Sequence, residues 1–234
     1  MTLLSCTLTG VDQQTDLSKV IELSSRFPEA EFAILFSPER SGEQKRFPTF
    51  EFIQNMLNAG RVRWAVHLCG RAVPDFIQSA VSKGHTDWDQ QAFQLATHPR
   101  VSRLQLNFAF RRAKFTVHEL DTAIESLAIP VITQEHRANE GVSCALAAPN
   151  HQVLFDASGG RGIPASEWAP PLDGKICGFA GGLGPETLSR ALRGIKQVCD
   201  GRPFWIDMET RIRDENDWLD LDACERVLQI AQSA

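Results

Sequence analysis

Two side chains in this sequence combine the chemistry of a base with that of an acid. Cys6 lies in the opening apolar run, and Asp156 ends the run in Leu154-Phe-Asp-Ala-Ser-Gly-Gly. A thiolate near a cation or a helix N-terminus accepts a proton, and a carboxylic acid kept partly protonated by burial donates one. Each residue also has a plainer reading, Cys6 as core packing and Asp156 as the cap of a turn. A third stretch supplies a place for a ligand. In Lys175-Ile-Cys-Gly-Phe-Ala-Gly-Gly-Leu-Gly-Pro-Glu-Thr187 an apolar run ends in Gly181 and Gly182 and passes into an amphipathic segment, 188–198. Paired glycines let an anion approach the backbone, and a helix beginning near Pro185 would direct N–H groups at it. A phosphorylated small molecule is the expected ligand.

Other chemistries are disfavoured. The lysines (Lys19, Lys45, Lys83, Lys114, Lys175, Lys196) map to helices, loops or the amino end of a strand, so none is placed as a Schiff-base nucleophile. The histidines (His67, His85, His98, His118, His136, His151) have no H-x-H or H-E-x-x-H spacing, and no metal or other cofactor is expected. A net charge of -5 and a pI near 5.7, without a basic run interleaved with aromatics, argue against nucleic acid. No apolar run approaches a membrane span, and the N-terminus has no signal-peptide pattern, so a cytoplasmic protein with reduced cysteines is expected.

Short β-rich runs alternate with helical periodicity along the 234 residues. The expected strands are Leu3–Leu8, Phe32–Phe36, Trp64–Leu68, Arg103–Phe108, Pro130–Thr133, Gln152–Asp156, Ile176–Ala180 and Phe204–Met208. Helical patterns over 16–27, 49–58, 188–198 and 219–234 lie between or after them. This rhythm predicts an α/β fold, a single-domain TIM (β/α)8 barrel over 1–234 with an extra helical insertion near 82–99. A doubly wound sheet is the alternative, but its glycine fingerprint would follow the first strand. In a barrel the carboxyl ends of the strands carry function. That places Cys6, Arg40 or Arg46, His67, Gln105 or Asn107, Gln134, Asp156, Gly181, Gly182, and Asp207 or Glu209 on the rim.

The chain resembles the phosphoribosylanthranilate isomerases, TIM-barrel enzymes of tryptophan biosynthesis. The resemblance rests on a strand-one cysteine, Leu154-Phe-Asp-Ala-Ser-Gly-Gly-Arg-Gly162 with Trp168 beyond it, Phe179-Ala-Gly-Gly-Leu-Gly-Pro185, and Ile206-Asp-Met208. It implies an Amadori rearrangement of an aminoaldose phosphate to an aminoketose, with Cys6 as general base and Asp156 as general acid. It also implies that Arg46 holds the anthranilate carboxylate and that Gly160, Gly162, Gly181 and Gly182 hold phosphate. Several positions depart from the family pattern. Leu4-Ser-Cys-Thr7 replaces Lys-Ile-Cys-Gly, and Arg161 stands between Gly160 and Gly162. Glu209-Thr-Arg-Ile-Arg213 replaces Ser-Ser-Gly-Val-Glu, where Arg211 can bind phosphate bidentately. Asn107 takes the place of a strand-four histidine, while His67, followed by Arg71, appears on strand three.

These departures point to a shifted substrate, with His67, Arg71 and Asn107 as further substrate-binding residues. The alternatives are a repurposed, non-catalytic barrel that binds a phosphorylated metabolite, and a phosphosugar lyase or epimerase.

Overall fold

The computed structural model describes residues 2–82, 90–156 and 167–233. The strands are β1 (Leu3–Thr9), β2 (Ala30–Phe36), β3 (Trp64–Cys69), β4 (Val101–Asn107), β5 (Val131–Glu135), β6 (His151–Phe155), β7 (Cys177–Phe179) and β8 (Phe204–Met208). Each pairs in parallel with the next, and β1 pairs with β8, so the sheet closes into a barrel in chain order. This is the expected TIM-barrel fold. The difference from the sequence expectation with the largest consequence is a single residue, because β1 runs on to Thr9.

Helices α1 (Leu17–Arg26), α2 (Phe50–Asn58), α3 (Ala72–Val81), α4 (Gln91–Ala96), α5 (Val117–Glu125), α6 (Val142–Ala145), α7 (Leu188–Cys199) and α8 (Leu221–Gln232) follow the strands. Both α3 and α4 stand between β3 and β4. Side-chain caps fix several starts: Asp16 accepts from the Ser18 N–H, Thr49 from Phe52, and Asp220 from Asp222 and Ala223. Thr116 and Glu119 form a reciprocal capping box at α5. In α7 the buried positions Leu188, Ala191, Leu192, Ile195 and Cys199 recur at helical spacing and turn one apolar stripe to the barrel.

Alternation along each strand sorts side chains into an outer row under the helices and an inner row inside the barrel. On β1 the outer row is Cys6 and Leu8, in the same core cluster as Val20 of α1 and Cys224 of α8. The inner row holds Thr7 and Thr9. Thr7 accepts a hydrogen bond from Arg103 of β4, three strands away, which is a contact made across the interior.

That interior is unusually polar. The Arg103 guanidinium forks onto Glu31 of β2 through Nε and Nη2, reaches the Gln152 side chain through Nη1, and lies over the Trp205 indole with 4.1 Å to the ring centroid. A buried Arg–Glu pair withstands its desolvation only when its donors are satisfied, and here the fork, Thr7, Gln152 and the indole face surround it. Trp205 in turn requires a glycine beside it on β7, since a Cβ on Gly178 would fall within 2.4 Å of three indole atoms. This plug closes the barrel below the rim.

Candidate functional site

Above the plug a cavity of about 400 Å³ opens at the carboxyl ends of the strands. Three carboxylates line it, and two of them, Asp156 just past β6 and Asp207 on β8, are buried, while Glu209 is partly exposed. Asp207 Oδ1 accepts the Thr9 hydroxyl at 2.5 Å. Burial pushes the Asp207 carboxyl up to about 7; the Thr9 bond and Arg103 oppose the rise, while the charges of Glu209 and Asp156 add to it. The site therefore holds a carboxylic acid that titrates near neutrality beside a second carboxyl group.

His67 of β3 faces the same cavity. Its Nδ1 lies 3.4 Å from Gln105 Nε2, and Gln105 Nε2 also donates to Asn107 Oδ1 at 2.9 Å. With the amide so oriented, Nδ1 is the acceptor and the ring proton sits on Nε2, which has no partner among the described residues. Burial, with Arg103 nearby, lowers the His67 pKa to about 3, so the ring is a neutral hydrogen-bond donor. Asn107 is held by Gln105 and donates to Cys69 Sγ at 3.3 Å.

The opposite wall is made by the turn after β7. Gly181 and Gly182 have φ of 122° and 62°, in the left-handed region that favours glycine. Arg211 sits in a short 3₁₀ turn, Thr210–Ile212, packed so closely on Gly184 that a Cβ there would meet the Arg211 side chain. Its exposed guanidinium forms no ion pair among the described residues, and it lines the cavity together with both glycines.

Several expected placements are corrected. Cys6 is fully buried in the core outside the barrel wall, and burial and the nearby Glu29, Asp207 and Glu31 charges push its thiol far up, opposite to what a base requires. The strand extends three residues past it, and the rim position is taken by Thr9. Arg46 is at the rim, but its Nε and Nη2 grip Asp217 and its Nη1 bonds Glu209 at 2.6 Å, so it is already committed to carboxylates. Arg71 lies outside this cavity, exposed at the start of α3 and 3.4 Å from Asp75. The helix expected near Pro185 begins at Leu188. The N–H groups of Thr187 and Leu188 bond Gly184 O, and Pro185 and Glu186 border a separate hollow between α7 and α8. The glycines, rather than the helix N-terminus, address the cavity. Gly160 and Gly162 lie outside the described residues.

Thr9 was missed in the sequence, although the polar Thr7 and Thr9 against the apolar Leu4, Cys6 and Leu8 carried the signal. Arg40 also lines the cavity, stacked on Phe47 at 3.9 Å from the ring centroid. Among the described residues no group of three or more His, Cys, Asp or Glu is arranged to hold a metal ion, and no helix is long and apolar enough to cross a membrane.

No family model matches the chain. Nor does any curated protein match it. Solved structures do match over their whole length. A monomeric form of the Thermotoga maritima phosphoribosylanthranilate isomerase superposes with a TM-score of 0.62 at 16% identity, covering 99% of this chain and 100% of that one. The Thermus thermophilus phosphoribosylanthranilate isomerase gives 0.62 at 15%, covering 98% of each chain. A GH113 β-1,4-mannanase also matches, with 0.55 at 12% and complete coverage of both. At such identities the likeness establishes the barrel.

Proposed function

We propose that the protein is a sugar-phosphate isomerase, converting an aminoaldose 5-phosphate to the aminoketose by proton transfer between Asp207 and Asp156. The observation that carries this reading is the pair of buried carboxyl groups on one cavity, flanking the β7 turn that offers Gly181 and Gly182, with Arg211, which has no ion pair among the described residues, on the same cavity. The likeness to phosphoribosylanthranilate isomerases supports it, as does the solved complex of one of them with a reduced carboxyphenylamino-deoxyribulose 5-phosphate.

In this reading phosphate rests on the glycine turn and Arg211. Asp207 still carries its proton close to pH 7 and delivers it to the ring oxygen, which opens the ring to a Schiff base. Asp156 removes the C2 proton, and the resulting enolamine becomes the ketose. The acid role that the resemblance assigned to Asp156 thus passes to the carboxyl with the raised pKa, and Asp156 takes the base role left by Cys6. The two carboxyl groups finish with the proton exchanged between them and reset through solvent. The neutral His67 Nε2–H donates to the sugar oxygen on which charge develops.

The test is loss of N-(2-carboxyphenyl)-5-phosphoribosylamine followed by fluorescence, with ketose formation followed by NMR. Wild type turns it over, and Asp207→Asn falls by at least about 10²-fold. A second reading is favoured by the locked state of Arg46: a barrel that binds a phosphorylated metabolite without chemistry. It predicts a raised melting temperature with the compound and no ketose.

A further inference from the structure

The two flanks of α8 are finished differently. Toward α1 the cations are matched: Lys19 lies 2.9 Å from Glu225 and 3.4 Å from Glu22, and Arg26 reaches the same two carboxylates at 2.7 Å. Toward α7 a groove of about 690 Å³ is lined by Arg193, Lys196 and Arg226, with Glu186 at one end as the single acid among the described lining residues. Arg193 forms no ion pair among the described residues, and Arg226 has only Asp220, 3.9 Å away. The floor between these charges is apolar, made by the buried Leu192 and the half-buried Ile230, with Pro185 at the end near Glu186. The groove is also long. Its lining runs from Ser189 to Lys196 on α7 and from Arg226 to Ser233 on α8, two turns or about 10 Å of each helix.

We infer that the groove between α7 and α8 docks an acidic amphipathic helix of a partner protein. The inference stands apart from the sugar-phosphate reading, because the groove shares no lining residue with the central cavity. Charge complementarity names the occupant. On a chain of net charge -5 the groove carries cations from both helices, Arg193 and Lys196 from one and Arg226 from the other, bordering the apolar floor on either side. A helix laid along it with apolar residues at i, i+3 and i+4 presses that ridge onto Leu192 and Ile230 and removes their exposed surface from water. Aspartates and glutamates beside the ridge then meet the guanidinium groups. The α1 flank shows the same arrangement completed within the chain, where Glu22 and Glu225 supply the carboxylates that the α7 flank leaves to a partner.

The experiment is fluorescence anisotropy with three labelled peptides of about four helical turns. One carries leucines at i, i+3, i+4 and i+7 flanked by glutamates, the second is its scrambled isomer, and the third keeps the leucines with lysines in place of the glutamates. Wild type binds the first at least about tenfold more tightly than the other two. The double variant Arg193→Glu/Arg226→Glu, both residues being exposed, weakens that binding at least about tenfold with an unchanged urea midpoint, whereas Arg211→Ala leaves it as it was. Equal affinity for the first peptide and its scrambled isomer overturns the helix, since attraction between net charges would then suffice. Equal affinity of wild type and the double variant for the first peptide overturns the groove. Sedimentation of the chain alone supplies the remaining outcome: self-association that the double variant abolishes assigns the groove to a second copy and overturns the partner.

Discussion

The hydroxyl of Thr9 at the end of β1 donates to Oδ1 of Asp207 on β8 at 2.5 Å, across the seam where the barrel closes. The bond favours the ionised carboxylate, so it restrains a pKa that burial alone would carry higher. Thr9 is thus a positioning residue for the acid. Thr9→Val removes the donor at nearly constant volume. The basic limb of the kcat/KM profile, which reports the protonated Asp207 and lies near pH 7 in wild type, should move upward by about one to two pH units, as expected for a charge-assisted bond of about 1.5–3 kcal/mol. A pH–rate series on both proteins checks this, and an unmoved limb means that another group sets it.

Stability should follow the same carboxyl. Its folded pKa of about 7 stands above the ordinary aspartate value of 3.8, so between about pH 4 and 7 the native state holds a proton that the unfolded chain has released. The contribution is fully present below about pH 4 and is lost as pH rises through 7, on the order of 2–4 kcal/mol in all. Asp207→Asn cannot titrate and should flatten this slope, leaving the variant more stable than wild type at pH 8. Urea unfolding at a series of pH values reads it directly.

The buried plug gives a third expectation. Arg103→Leu leaves the buried Glu31 carboxylate with the Thr7 hydroxyl and Arg63 at 3.7 Å as its partners and should cost about 3 kcal/mol in chemical denaturation. Adding Glu31→Leu should restore much of that loss, because removing both charges removes the desolvation problem. A double variant no better than the single one would mean that Arg103 acts mainly through packing on Trp205.

The barrel was legible because its strands are marked by β-branched and aromatic runs and its helices by apolar stripes, as on α7. The strand ends were less so. Ending β1 at Leu8 put Cys6 within reach of the rim, whereas the added residue makes Thr9 the rim position and the pleat turns Cys6 outward. Asp156, His67, Asn107, Gly181 and Gly182 follow directly from strand-end position and Arg211 from the comparison with the family pattern, and the structure brings them to one cavity. Arg46 could not be read this way. Its partners Glu209 and Asp217 are more than 160 residues away in sequence and meet it only when the β8 turn folds over the rim. The Glu31–Arg103 pair was hidden for the same reason, being a contact between inner rows of strands that are not neighbours.

The central claim is that Asp156 and Asp207, and not Cys6, move the protons. It is tested most directly by deuterium incorporation at C1 of the aminoketose phosphate formed in D₂O, measured by NMR for wild type, Asp156→Asn, Asp207→Asn and Cys6→Ala. The account predicts incorporation by wild type and by Cys6→Ala, whose cost is confined to about 1–2 kcal/mol of core stability, and a loss of at least about 10²-fold in either asparagine variant. Exchange that persists in both asparagine variants and disappears with Cys6→Ala in a folded protein would contradict it.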